Sequence, residues 1–494
     1  MRNRLVFILL LLIAYQVSYA QVKARLEFPY KDNIHDYCVI PMEDKGVLIA
    51  TLSEEVTEGK RMLKTEHYDT NLKLRSNDST WVDRSLEFQE HVYQSGSCYA
   101  ILRKVGHTLW GPKMVKGGEF TVVSYNPEKH KTEIMNGEIP HHGTMGDLVV
   151  GDHVMVFTSL MKNLDHIGLT DLSTGETKII VPEIKGCKRR SLYVLENTVT
   201  DDEICSLVRT KKDVYLVRFN KQGVQKSCVN LTSDVSQRLL TASISKKGNC
   251  YLLTGTYTNH KKKGEAQGIY FAKIEGDRIA FVRFYNFLDM ENFTSFMSDR
   301  AQKKVERKKE RAERRGKELS MNCLMASHEI MENDGNYYYV GEAYYPTYTT
   351  TSTGFSTTTV FNGYQYTHAL VAKFDAEGKL LWDNCFPMDP RRKPMRVIRF
   401  VATEFDGDNV TALYPDRKML VSKQFRNTDG QVVQDRQKEV METDNEEEDV
   451  KKAKDTETAY WYGDNFIVHG TQIVKNNQTG ERRKVIFINK YSMK

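Results

Sequence analysis

The chain has 494 residues, with 71 Lys+Arg against 65 Asp+Glu, 40% hydrophobic residues and only 11 Pro. Apolar and aromatic content on this scale, with so little proline, excludes collagen-like, mucin-like and wholly disordered chains. The net charge of +6 is the small difference of two large counts, so the global balance gives no sign of nucleic-acid binding and charge has to be read locally.

Met1 to Ala20 read as a signal peptide. Arg2 and Arg4 precede an apolar run from Leu5 to Ala14, which has the length of a signal h-region and is too short to span a bilayer. Ser18 and Ala20 supply small residues at the −3 and −1 positions, which places cleavage before Gln21 and predicts a periplasmic or secreted protein. No later stretch approaches spanning length, so no transmembrane segment is expected after cleavage.

From there the chain repeats one device: a polar or Gly turn running into an apolar strand. It occurs at Lys45-Gly46, Ser95-Gly96, Gly151-Asp152, Asp201-Asp202, Lys247-Gly248, Asp334-Gly335, Gly407-Asp408 and Gly463-Asp464. That makes eight units, with successive turns about 46 to 87 residues apart. Each unit adds a second hairpin in which Asn or Asp opens the turn and Gly closes it, as at Asn220 to Gly223 and Asp375 to Gly378. Four strands per unit, a to d, predict an all-β fold: an eight-bladed β-propeller, with seven blades as the alternative count, spanning residues 21–494 as one domain. The last unit runs out of chain before its strand d. The alternating segment Val22 to Phe28 stands before the first unit and is expected to supply that strand, closing the ring.

Long segments fall between strands b and c or between units, at Val105 to Glu119, Asn259 to Gln267, Asn286 to Met321 (286–321), Tyr345 to Tyr366 (345–366) and Asp435 to Thr456 (435–456). In a propeller all of these emerge on one face, and loops gathered on a rigid scaffold build binding surfaces. Three have distinct chemistry. Ala301 to Lys317 is a basic helix former up to Gly316, so Lys303, Lys304, Arg307, Lys308, Arg311, Arg314 and Arg315 are candidate partner-binding residues. Tyr345, Tyr348, Tyr364 and Tyr366 lie in a Tyr/Thr/Ser-rich stretch whose rings and hydroxyls suit a sugar or a polar protein surface. Glu442 to Asp449 is acidic, and reads as a solvated loop or a counterpart to the basic helix.

Catalytic and metal motifs are missing from the sequence: there is no H-E-x-x-H, G-x-S-x-G, Walker loop or C-x-x-C. His141 and His142 form one adjacent pair and are weak metal candidates without an identifiable third ligand. Eight Cys in an exported chain invite disulfides, but most fall in strands and read as buried thiols, with pairing between blades left open.

The c-d hairpins, above all Ala372 to Trp382 and Leu169 to Glu176, resemble the repeats of bacterial exported β-propellers, including the quinoprotein type. The signal followed by Gln21 resembles those of Bacteroidetes envelope proteins. The resemblance implies the fold. It does not imply a quinone, because Trp382 alone keeps the terminal Trp of the repeat and no two Cys are adjacent. The expected function is that of an exported, non-enzymatic, monomeric scaffold binding an envelope or extracellular protein or glycan, with no cofactor, metal or nucleic acid. The alternative is a carbohydrate-active hydrolase or lyase with its carboxylates at the central channel mouth.

Overall fold

The computed structural model describes residues 21–30, 37–108, 111–114, 118–140, 143–151, 153–200, 202–211, 213–233, 235–259, 264–352 and 357–493. The signal segment and the His141-His142 pair lie outside the described residues. Among the described residues there are eight antiparallel sheets built on four strands, some with an extra short strand; seven are meanders and the last joins three consecutive strands to the N-terminal one, giving the β-propeller repeat. No helix is long and apolar enough to cross a membrane.

Contacts divide the chain into two compact units. Among the described residues the larger takes those within 37–399 and 428–431, the smaller those within 21–30, 400–427 and 432–493.

In the larger unit six sheets follow one another, and each interface between successive sheets holds its own core. Cys38, Ile40, Leu48 and Leu63 of the first sheet meet Cys98, Ala100 and Tyr125 of the second. The pattern continues through Phe120 with Phe157, Leu169 with Phe219, Leu216 with Tyr251, and Phe271 with Phe374. Strands buried on both faces explain the continuous apolar runs after each a-b turn.

The c-d turn is the joint between sheets. Gly175, Gly223 and Gly378 all have positive φ, and a Cβ on each would run into the last strand of the preceding sheet, at Asn136, Ile180 and Phe281 respectively; Gly430, which falls in the larger unit with residues 428–431, also has positive φ, and its Cβ would meet Trp382 of that unit. The Asn/Asp-to-Gly signal therefore marks a docking contact as well as a turn. Trp382 is buried in strand Leu380–Pro387, and Asn384 Nδ2 beside it donates to Gly430 O at 3.2 Å. At Gly430 φ is +71° and a Cβ would stand 2.7 Å from the Trp382 ring. Gly430→Ala is therefore expected to cost about 1–3 kcal/mol, from left-handed strain plus displacement of the indole. A chemical-denaturation midpoint shifted by less than a few tenths of a molar would contradict this.

The smaller unit contains the last two sheets. The final sheet has the order Gln21–Pro29, Arg482–Ser492, Asn465–Asn476, Glu448–Tyr462. Leu26 faces Ile488 and Phe28 faces Ile486, so the N-terminal strand supplies the missing strand d, as expected. The segment 435–456 is not a loop. Strand Val432–Val440 runs into it from one side and Glu448–Tyr462 from the other, leaving only residues 441–447 between them. Its Lys and Glu side chains are largely exposed, on the last strand of the seventh sheet and the first strand of the eighth, which hides the alternation that would have marked it.

All eight Cys are free thiols. Burial pushes the Cys38 thiol up to about 12, against a weaker opposing backbone hydrogen bond, so it is unreactive near neutral pH.

Candidate functional site

Two sites arise in the larger unit, one outside the sheets and one among their inner strands.

The insertion 286–321 holds a helix, Asp299–Glu313. It ends where Gly316, with φ +62°, lets Lys317 N bond Ala312 O at 2.9 Å, the closure that a glycine just past a helix end provides. The residues before the helix are packed. Phe287 and Phe293 are fully buried and stacked at 4.4 Å, and Phe296 stacks on His368 at 3.7 Å. Asp383, buried in strand Leu380–Pro387, accepts the backbone N–H groups of Glu291 and Asn292 at 2.9 Å each. Ser295 Oγ donates to Cys385 O. Lys309 Nζ then ties the helix back to Leu288 O at 2.6 Å and Asp289 at 2.9 Å. The insertion is thus a built support, not a slack loop.

His368 sits at this joint with Nε2 unpartnered. Burial pulls its pKa down to about 4. A folded pKa below the unfolded value makes the unfolded chain the stronger proton binder. Stability is therefore full above about 6.5 and is lost as pH falls towards 4, by about 3 kcal/mol if the whole shift is realised. An NMR titration is expected to find the His368 ring neutral down to about pH 4; a midpoint near 6.5 would refute this.

The candidate cations are where the sequence placed them, on the exposed helix. Lys303, Lys304, Arg307, Lys308, Arg311 and Arg315 have no ion-pair partner among the described residues, and Arg314 has only Glu310, at 3.6 Å. The aromatic candidates divide. Strands Asn336–Ser352 and Thr357–Phe374 pair from Tyr337↔Phe374 out to Ser352↔Thr357, so the expected loop 345–366 is the outer part of a long hairpin. Tyr345 and Tyr348 are 49% and 60% exposed on it. Tyr364 is half-buried against Phe361 and Tyr344. Tyr366 is not available to a partner: it is 1% exposed and its hydroxyl donates to Ile398 O at 2.5 Å. Its position below the hairpin, where the outer strands begin, buries it.

The second site is a cavity of about 760 Å³ lined by residues on or beside the first strands of sheets two to six, by Thr158 and Tyr344 of second strands, and by residues 396–399. Segment 388–401 was not singled out from the sequence. Its residues 394–399 are held to the sixth sheet by Tyr364 N to Pro394 O at 2.9 Å, Ile398 N to the Tyr366 hydroxyl at 3.0 Å and Arg399 Nε to Ser327 O at 2.9 Å. The only signal available was Pro390 and Pro394 bracketing a cationic run. Asp147, Glu196 and Glu329 line the cavity, and Arg396 pairs with Glu90 at 3.1 Å at its rim. Burial pushes Glu196 up to about 8, with Arg399 opposing and Glu329 and Asp147 adding to the shift. Near neutral pH Glu196 is thus largely a neutral acid, in one cavity with Asp147 and Glu329. No group of three or more His, Cys, Asp or Glu among the described residues is placed to hold a metal ion.

No protein-family model and no curated sequence matches the chain. Solved structures with a similar chain trace include the dihydro-heme d1 dehydrogenase NirN, at 11% identity and TM-score 0.44 over 95% of this chain and 79% of that one. The β-propeller domain of the Trilobed protease from Pyrococcus furiosus aligns at 7% identity and TM-score 0.35, covering 83% of this chain and 98% of that one. A Mycobacterium tuberculosis puromycin-hydrolyzing peptidase aligns at 8% and 0.39, covering 81% of this chain and 53% of that one. At these scores the fold assignment rests on the chain's own sheets, and no activity transfers.

Proposed function

We propose that the protein is an exported β-propeller that binds an envelope or extracellular protein or glycan through its basic helix and Tyr/Thr hairpin, without chemistry of its own. The observation that carries this reading is the contrast between anchor and charge. Buried aromatics, Asp383 and Lys309 hold the helix in place, while six of its cations have no partner among the described residues. Neighbouring like charges on a helix cost about 0.2–0.5 kcal/mol per pair, so a purely structural helix would gain by mixing in acids. The signal segment supports export, with Gln21 as the expected first residue of the mature chain. The test is deletion of residues 300–317 followed by a screen against glycans and envelope proteins; recovery of the same ligands without the helix would count against it as the contact.

The cavity favours a second reading, a carbohydrate-active hydrolase or lyase. A largely neutral Glu196 in one cavity with the acidic side chains of Asp147 and Glu329 is a gathering of carboxyl groups of the kind such chemistry uses. Under this reading Glu196→Gln abolishes glycan cleavage and leaves ligand capture by the helix intact. Absence of any cleavage by the parent chain across a glycan panel would remove it.

A further inference from the structure

The helix sorts its side chains into three strips. At 3.6 residues per turn, every cation from Arg300 to Arg315 except Lys309 falls within an arc of roughly 140°. The half-buried residues Ala301, Gln302, Val305, Lys309 and Ala312 face the support on a second arc of roughly 100°. Asp299, Glu306, Glu310 and Glu313 share the third arc, of roughly 60°. Within the helix only Glu310 and Arg314 pair across the boundary between strips, at 3.6 Å. The sequence therefore does not intersperse its charges. It builds a straight cationic track about 22 Å long, with acids along one edge and the anchor along the other.

The geometry points to a linear acidic polysaccharide, a uronate-type chain lying along this track, as the partner; the inference rests on the partner-binding reading above and names its ligand class. A straight, one-sided band of cations matches a ligand that repeats its negative charge along one axis. A lipid surface fits less well, because the exposed strips carry no apolar side chain to enter the interface. The sugar character comes from the neighbouring hairpin. Phe293 and Phe296 pack on His368, and Ser295 bonds Cys385, at the end of the sixth sheet from which the hairpin rises. There Tyr345 and Tyr348 expose their rings, and Thr350 and Thr359 bond each other across an exposed ribbon at 3.1 Å. Aromatic faces and hydroxyl rows stack on and hydrogen-bond to sugar rings, while the cations take the carboxylates.

The test uses the mature full-length chain and immobilised polygalacturonate, with dextran, single-stranded DNA and phosphatidylglycerol vesicles alongside. Binding to polygalacturonate is expected at low salt, weakening steeply as salt rises because counterions are released. The exposed-face variant K303Q/R307Q/K308Q/R311Q is expected to lose at least tenfold in affinity and to flatten the salt dependence. Tyr345→Ala with Tyr348→Ala is expected to lose at least threefold without changing that slope. Glu306→Gln with Glu310→Gln is expected to bind as tightly or more so. Unchanged binding by the cation variant overturns the inference, as does equal affinity for DNA or for the vesicles. If polygalacturonate fails to bind but a protein or neutral glycan ligand is lost on deleting residues 300–317, the polyanion assignment falls and the partner-binding reading stands. If that deletion changes the capture of nothing, both fall.

Discussion

Replacing Arg25 with alanine is expected to destabilise the smaller unit by about 3–5 kcal/mol, the usual cost of removing one partner from a buried charged pair. The Arg25 side chain is wholly inaccessible. Its Nε donates to Glu27 at 2.8 Å, Nη1 to Asn489 Oδ1 at 2.8 Å and to Glu442 O at 3.2 Å, and Nη2 to Gln472 at 2.8 Å and Glu27 at 2.5 Å. The guanidinium also lies 5.3 Å from the centre of the Phe487 ring. One side chain of the N-terminal strand thus bonds to the strands containing Gln472 and Asn489 and to the turn after Val440. Alanine leaves Asn489 and Gln472 each without the donor that Arg25 supplied. Lysine restores charge but not the planar fork, and is expected to recover less than half of the loss. Glu27 gives the pH signature. Burial would raise its pKa, but Arg483 and then Arg25 outweigh it and hold the carboxyl below its ordinary value. A depressed folded pKa stabilises the fold above the unfolded value, near 4.3, and that contribution disappears as pH falls through the lower folded value. Trp461, buried in this unit, reports the transition by fluorescence. A urea unfolding free energy for Arg25→Ala within about 1 kcal/mol of the parent would show that the network carries no net stability.

The parts legible in the sequence were those set by local chemistry. The a-b turns, the Asx-to-Gly c-d turns and the helix stop at Gly316 all need particular residue types at fixed offsets, so they survive without knowledge of the partner strand. The donation of Val22 to Phe28 to the final sheet was legible for a different reason: counting strands left one vacancy and one spare. What escaped depended on the environment. Tyr344 to Tyr366 is rich in strand-forming Tyr and Thr, yet its hydroxyls resemble a loop until the pairing Thr350↔Thr359 is seen. Glu448–Tyr462 is exposed along much of its length, so it lacks the alternation that marks a half-buried strand. The cavity acids Asp147, Glu196 and Glu329 are far apart in sequence, and only the arrangement of successive inner strands brings them to one cavity. Segment 388–401 has no regular secondary structure; its path is fixed by single hydrogen bonds to Tyr366 and Ser327, which no periodicity encodes.

Asp383→Ala is the change expected to separate the insertion from its sheet, at a cost of about 3 kcal/mol, since each hydrogen bond to a charged acceptor contributes about 1.5–3 kcal/mol. The carboxyl is 2% exposed, so its removal leaves the Glu291 and Asn292 N–H groups without their acceptor at a site closed to water. The gain on the other side of the balance is relief from burying a carboxylate without a facing cation. Desolvation pushes Asp383 up to about 6, against the opposing pull of the Asn292 and Glu291 N–H groups and with a smaller upward push from the Glu291 charge. That relief keeps the expected loss at the lower end of the sum of two such bonds, about 3–6 kcal/mol. It also fixes the sign with pH. A carboxyl with a folded pKa above its unfolded value binds its proton more tightly when folded, so its contribution falls as pH rises from about 4 to 6 and is constant above. The alanine variant loses this slope, which a merely local packing defect would leave in place. The isosteric change Asp383→Asn keeps one acceptor oxygen and is expected to cost about half as much. Hydrogen exchange at the Glu291 and Asn292 amides is expected to accelerate in both variants, while exchange in the strand Val214–Phe219, remote from the joint, stays unchanged. If exchange at both amides stays at the parent rate, Asp383 is not the clamp. Because the cationic track depends on this support for its orientation, the alanine variant is expected to weaken polyanion binding without altering a single helix charge.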